Sequence, residues 1–203
     1  MKPLRMGVIG TGHLGKFHAR ILSQTPGVEL VGVADASAEA AEKVAAEHGV
    51  EAFSDWESLA ARVDAAVLAV PTTLHHQLGA PLLENGIHLL IEKPLAATSK
   101  DALALADLAE QRGLVLAVGH VERFNPAWTA LQGQLSDPKY VEANRLSGYT
   151  FRSTDVGVVL DLMIHDLDLL LSLVGRPVRE VEALGVSLFG KHEDAANARI
   201  TFD

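Results

Sequence analysis

The sequence predicts an α/β protein: an N-terminal, doubly wound parallel sheet of Rossmann type, followed by a smaller α+β domain with an open mixed sheet. Three observations carry this. An apolar run, Leu4 to Ile9, leads straight into Gly10-Thr11-Gly12-His13-Leu14-Gly15, a turn by which a buried strand passes into a helix. Short apolar runs then alternate with amphipathic helical segments as far as Gly119, the rhythm of βαβ units. From Val121 onward the alternation stops, and one long apolar helix stands among strand-like segments. The expected domains are therefore 1–120 and 121–203.

Leu4–Ile9 reads as the first strand. In the turn after it, Gly10 permits the tight reversal, Gly12 lets the backbone approach a phosphate, and Gly15 lets the next helix pack closely. The N–H groups of Thr11 through Leu14 and the start of the helix Leu14–Gln24 make a cradle for a pyrophosphate, favoured by the helix dipole. The second strand, Val28–Ala34, ends at Asp35, close to the spacing at which an acid binds a ribose 2′-hydroxyl. A carboxylate repels a 2′-phosphate, and Ala36 and Ser37 supply no arginine for one. The pattern favours NAD over NADP. The competing role for Asp35 is a cap for the helix Ala38–Glu47, since Asp and Ser both cap well.

Gly49 stops that helix, Glu51–Phe53 is a short strand, and Asp55 opens a short helix. Ala65–Val70 is the next strand. Its end brings Pro71, Thr72 and His75 to the mouth of a site at the carboxyl ends of the strands, where ligands of open α/β sheets bind. Strand His88–Ile91 ends at Glu92-Lys93-Pro94, a lysine beside a glutamate and restricted by a proline, whose peptide bond is a candidate for the cis form. Ser99 caps the helix to Arg112, and Val115–Val118 completes a six-strand sheet. Beyond Glu122–Pro126 come a helix around 127–134, a strand over Tyr140–Ser147, a helix over Val156–Val174, and strands over Arg179–Phe189 and Ala195–Phe202.

The helix over Val156–Val174 carries a narrow polar stripe on an apolar rod. Asp161, His165, Asp168 and Ser172 fall on one face at helical spacing. Buried charge is costly unless paired or used. Asp161, one turn before His165, can orient the imidazole and raise its basicity, as a general base requires. A structural Asp–His pair is the plainer alternative. A metal site from Asp161, His165 and Asp168 with His120 ranks below it, because Lys93 and a nicotinamide already supply a polariser and a hydride acceptor.

The net charge of −9, from 17 basic and 26 acidic residues without a basic block, argues against nucleic acid as a partner. There is no cysteine, which excludes disulfides and thiolate chemistry. The N-terminus shows no signal-peptide core, and the longest apolar stretch carries Asp161, His165, Asp166 and Asp168, so neither secretion nor a membrane span is expected. The expected place is the cytoplasm. Neither a nucleophile elbow nor a Gly-x-x-x-x-Gly-Lys phosphate loop is present.

Taken in order, Gly10–Gly15, Asp35, Val70-Pro71-Thr72, Glu92-Lys93-Pro94 and Asp161-x-x-x-His165 resemble the Gfo/Idh/MocA family of NAD(P)-dependent oxidoreductases. The resemblance implies that Lys93, Asp161 and His165 are catalytic. It also implies hydride transfer between a secondary alcohol of a sugar, cyclitol or nucleotide sugar and nicotinamide, and a second-domain sheet used for homo-oligomerisation. Gly119–Pro126 and Asp161–Asp166 look like the branch that contains UDP-N-acetylglucosamine 3-dehydrogenases. Members of the family continue well past the point corresponding to Asp203, so the resemblance implies a shortened or partial second domain. A non-catalytic NAD-binding module, or an inactive relative, is the alternative function.

Overall fold

The computed structural model describes residues 2–148 and 156–203. They form two compact units, Met1–Gly119 and His120–Asp203.

In the first unit, six strands lie parallel in the order β3-β2-β1-β4-β5-β6: β1 (Leu4–Ile9), β2 (Val28–Ala34), β3 (Glu51–Phe53), β4 (Ala65–Leu68), β5 (His88–Ile91) and β6 (Leu116–Val118). The central strand β4, Ala-Ala-Val-Leu, is buried throughout, as expected of a strand covered on both faces. Side chains alternate between two core layers. Val8, Val33 and Val67 face one layer with Ala19, Ala41 and Val44; their neighbours Ile9, Ala34 and Leu68 face the other with Leu59, Leu82, Leu83 and Leu105. Helices α1 (Gly15–Leu22) and α2 (Ala38–His48) therefore cover one face, and α3 (Trp56–Ala60), α4 (His75–Glu84) and α5 (Ser99–Arg112) the other. The winding reverses where β1 and β4 sit side by side, and their carboxyl ends open the crevice in which this fold binds ligands.

Helix ends follow local chemistry. Gly49 ends α2 in the left-handed region at φ 66°, and Ser37, in extended conformation, caps its start by accepting from the Ala40 N–H. The cap of α5 is Thr98 rather than the expected Ser99. Thr98 is extended and accepts from the Asp101 N–H at 3.1 Å, whereas Ser99 is already the first helical residue. A cap must stand outside the helix to turn its oxygen back on it.

The second unit opens with a 3₁₀ turn, Val121–Phe124, and helix α6 (Pro126–Gln132), capped by Asn125. The apolar helix begins as a π-turn over Val159–Met163 and continues as α7 (Ile164–Val174), ended by Gly175 at φ 61°. Strands β7 (Val178–Val186) and β8 (Ala195–Phe202) pair antiparallel from Val186↔Ala195 to Val178↔Phe202. Their loop is gathered by the Asp194 carboxylate, which accepts from the N–H groups of Leu188, Phe189 and Gly190. That gathering explains why β7 stops at Val186 instead of running to Phe189. Among the described residues the expected strand over Tyr140–Ser147 joins no ladder, so the sheet of this unit is a two-stranded antiparallel one. Arg145, in the middle of that stretch, instead grips α7 by donating to Asp166 at 2.9–3.1 Å. None of the described helices is long and apolar enough to cross a membrane.

Candidate functional site

In the first unit the glycine turn divides its work. Gly10 sits at φ +90°, and a Cβ there would run into the Ala69 carbonyl; one on Gly15 would strike the Gly10 carbonyl oxygen. These two glycines shape the turn. A Cβ on Gly12 would meet nothing within 4 Å, so at that position the backbone is open to an approaching ligand. The residues thus fit a pyrophosphate at the start of α1. Leu14 stands before the helix without a side-chain cap, and His13 rests edge-on against Phe17, with the ring centroids 5.3 Å apart.

Asp35 is joined to this turn. Its Oδ2 accepts from the Thr11 N–H at 2.7 Å and from the Thr11 hydroxyl at 2.9 Å, and its Oδ1 accepts from the Ser37 N–H at 2.9 Å. Partial burial works against its charge, but the donors Ser37 and Thr11 outweigh burial and hold the carboxyl below the usual range. The capping role belongs to Ser37. A carboxylate has about four lone-pair sites, and three donors occupy Asp35, which leaves acceptor capacity for a ribose hydroxyl.

At the end of β4, Pro71 leads into a 3₁₀ turn, Thr72–Leu74, and Thr72 is buried. His75, expected at the mouth of the site, has its ring turned onto the backbone of the two strand ends. It is 1% exposed, with Nδ1 2.8 Å from the Pro94 carbonyl and Nε2 3.0 Å from the Val70 carbonyl. Both ring nitrogens lie against backbone carbonyls, and the single N–H of a neutral imidazole donates to one of them, Pro94 or Val70, according to its tautomer. After β5 the Lys93–Pro94 peptide is cis and Lys93 is half-buried. Glu92, which with Lys93 is a candidate cofactor contact from the strand end, turns its side chain inward. It is 6% exposed, and its Oε1 lies 2.6 Å from His18 Nε2 on α1. Sequence reasoning missed His18: it lies 74 positions from its partner, and only the packing of α1 on the sheet brings the pair together.

In the second unit, Asp161 lies within the π-turn and His165 in the first turn of α7. Asp168 follows one turn on, with its side chain 10% exposed. It accepts two hydrogen bonds from Arg123, at 2.6 and 2.7 Å, and its Oδ2 is 3.8 Å from His120 Nδ1. Burial opposes its ionisation, but Arg123, His120 and His165 together hold the carboxyl low. Asp166 is held by Arg145, which also reaches Glu122 at 3.5 Å. Asp161, His165 and Asp168 are half-buried, whereas Ser172 is exposed, so the expected stripe loses its burial at its C-terminal end. Nor is the rod itself fully buried: its apolar residues Leu162 and Leu170 face a groove of about 1190 Å³ lined also by Trp128, Tyr140 and Phe202. The arginines that clamp Asp166 and Asp168 were not singled out from the sequence, because each grips its carboxylate across more than 20 residues. Among the described residues no group of three or more His, Cys, Asp or Glu could hold a metal ion.

Comparison with known proteins gives two family matches: "Oxidoreductase family, NAD-binding Rossmann fold" over residues 4–120, and "GFO/IDH/MocA C-terminal domain" over residues 128–203. The chain is 43% identical over 201 residues to a UDP-N-acetylglucosamine 3-dehydrogenase of Acidithiobacillus ferrooxidans, covering 98% of this chain and 64% of that protein. It is 31% identical over 195 residues to a scyllo-inositol 2-dehydrogenase (NAD(+)) of Bacillus subtilis, covering 90% of this chain and 57% of that protein. A solved structure of the Acidithiobacillus enzyme superposes with a TM-score of 0.93 at 42% identity, covering all of this chain and 67% of the other. The chain therefore spans somewhat under two thirds of the length of the curated relatives it matches.

Proposed function

We propose, from the fact that this chain belongs to the Gfo/Idh/MocA family of NAD-binding Rossmann oxidoreductases, that it serves the reversible oxidation of a secondary alcohol of a nucleotide sugar by NAD. The reacting carbon in this proposal is C3 of UDP-N-acetylglucosamine, a choice supported by the 43% identity to an enzyme of that name. The observation that carries the reading is the strand-end geometry of the first unit: an open backbone at Gly12, tied through Thr11 to an ionised Asp35 with acceptor capacity to spare.

The overall change is R₂CHOH + NAD⁺ → R₂C=O + NADH + H⁺. Bound NAD would supply the hydride acceptor for the carbinol carbon. Gly10, Thr11, Gly12, His13, Leu14 and Gly15 receive its pyrophosphate, and Asp35 accepts from a ribose hydroxyl, which also disfavours the 2′-phosphate of NADP. Pro71, Thr72 and the backbone at Glu92 and Lys93 line the strand ends beyond them. His165 takes the hydroxyl proton as general base, and Asp161 orients its ring. The Lys93 ammonium donates to the substrate oxygen and stabilises its alkoxide character as hydride leaves. The exposed apolar side chains of the β7–β8 hairpin, Leu184 at 71% among them, support self-association through that sheet. NAD and nucleotide sugars are cytoplasmic metabolites, and the cytoplasm is the proposed place.

The test is absorbance at the NADH band with UDP-N-acetylglucosamine, other UDP-sugars and inositols. Reduced cofactor is expected with the first. Lys93→Ala and His165→Ala should each lower turnover by about 100-fold or more, the scale of a lost general acid–base or electrostatic group, with NADH affinity kept within about twofold. Normal turnover in either variant overturns the assignment of that residue. The second reading is a module that binds NAD without turnover. It predicts NADH binding with no reduction on any alcohol tried.

A further inference from the structure

We propose that His18 and Glu92 form a positioning pair that fixes Lys93, and that Gly119 is part of the same device. The proposal rests on the reading above for what Lys93 does; the placement of Lys93 by the pair stands apart from it. Glu92 is 6% exposed, and its two oxygens are engaged separately. Oε1 meets His18 Nε2 at 2.6 Å, and Oε2 accepts from the backbone N–H of Lys93 at 3.3 Å. A buried carboxylate only accepts, so the proton of the short contact lies on His18 Nε2 when Glu92 is ionised. The imidazole therefore holds the carboxylate, and the carboxylate holds the peptide from which the Lys93 side chain springs.

The third part is the end of β6. The Gly119 N–H donates to the Ile91 carbonyl at 2.8 Å, which sets Gly119 beside Glu92, and a Cβ on Gly119 would stand 2.8 Å from Oε2. Glycine at 119 is what lets the carboxylate stay under Lys93. Three elements thus meet on one side chain: α1, which starts at the glycine turn; β5, which carries Lys93; and β6. His18 lies one turn after Gly15 on the helix that opens at the pyrophosphate cradle. The pair joins the cradle to the lysine by two hydrogen bonds and no mobile linker. Removing the imidazole leaves a buried carboxylate short of a donor, which is costly enough to make it move.

The test reads Lys93 directly and needs no turnover, so it stays informative if no sugar is oxidised. The full chain is trace-labelled with acetic anhydride, and the acetylation rate of Lys93 is taken by mass spectrometry relative to Lys43 and Lys100 in the same molecule. His18→Leu should raise the Lys93 rate about tenfold, the lower end of what loss of a residue orienting a functional group costs. His18→Gln, whose amide N–H can take the place of Nε2–H, should return it to within about twofold of the unmodified chain. Gly119→Ala, which crowds the whole Glu92 carboxylate while leaving the His18 side chain in place, should raise the Lys93 rate as His18→Leu does, and it decides the question if His18→Leu fails to fold. An unchanged Lys93 rate in the folded variants overturns the proposal. So does an equal rise at Lys43 and Lys100, which means general loosening, or a His18→Gln chain that behaves like His18→Leu. If the sugar reaction is confirmed, His18→Leu should lower kcat with the NADH affinity unchanged.

Discussion

Asp35 shows how much one side chain can be asked to do. It is placed by its strand, charged against partial burial, and bonded to the glycine turn before any ligand arrives. Its folded pKa lies below the unfolded value of about 3.9. The stability contributed by the charged form is therefore whole above that value and is lost as pH falls through the folded pKa. Asp35→Asn should flatten the acid limb of the stability curve below about pH 4, measured as the denaturation midpoint against pH, and should leave the curve near neutrality with the same slope. An acid limb as steep as that of the unaltered chain would assign the pH dependence to the other depressed carboxylates, among them Asp64, which Arg5 holds at about 2, and Asp168. His75 gives the opposite lesson at the same scale. A histidine at a strand end suggests a ligand, yet its buried ring lies between two backbone carbonyls, one of which accepts its N–H.

Elements begin and end where a local bond replaces a helical one. Thr98 and Asp101 at the start of α5 are reciprocal: the Thr98 oxygen accepts from the Asp101 N–H, and its hydroxyl donates to the Asp101 carboxylate at 2.8 Å. Thr98→Ala should cost about 1 kcal/mol of unfolding free energy, whereas Ser99→Ala should cost a few tenths at most. Urea titration of the two variants checks this, and a larger loss at Ser99 would return the cap to that residue. The π-turn at Val159–Met163 is the other departure from regular geometry. It carries Asp161 and hands over to α7 just before His165, so the two candidate residues lie on differently wound turns of one continuous rod. Single-turn π-segments inside helices are frequent at functional sites.

At the scale of the molecule, each unit has its own logic. Both core layers of the first unit are built from residues between Val8 and Ala109, with Leu114 and Leu116 packed against them. Every strand of its sheet pairs within it. A chain cut after Gly119 should therefore keep a cooperative thermal transition and bind NADH with an affinity within about tenfold of the whole chain, since the proposed cofactor contacts all precede that point. Loss of binding with folding retained would show that the second unit supplies part of the cofactor site. The second unit, by contrast, has no fully buried residue in α7 or in β7 and β8. Its structure is held by charge pairs, Arg123–Asp168 and Arg145–Asp166, and by the hairpin ladder.

The sequence by itself determined the parallel sheet, its six strands, the glycine turn, the acid that follows it and the lysine after β5. These are local matters: periodicity of apolar residues, the steric needs of Gly10 and Gly15, and a fixed chain distance from the turn to Asp35. It was also sufficient to bring out Asp161 and His165, because a helix brings residues four apart to one face. Only the tertiary structure decided which partners those residues have. His18 meets Glu92 across 74 residues, Arg123 meets Asp168 across 45, and His75 lies between the carbonyls of Val70 and Pro94. No periodicity links such pairs. They exist because strand order and helix packing bring distant carboxylates, imidazoles and guanidinium groups into positions where burial makes an unpaired polar group too costly to leave.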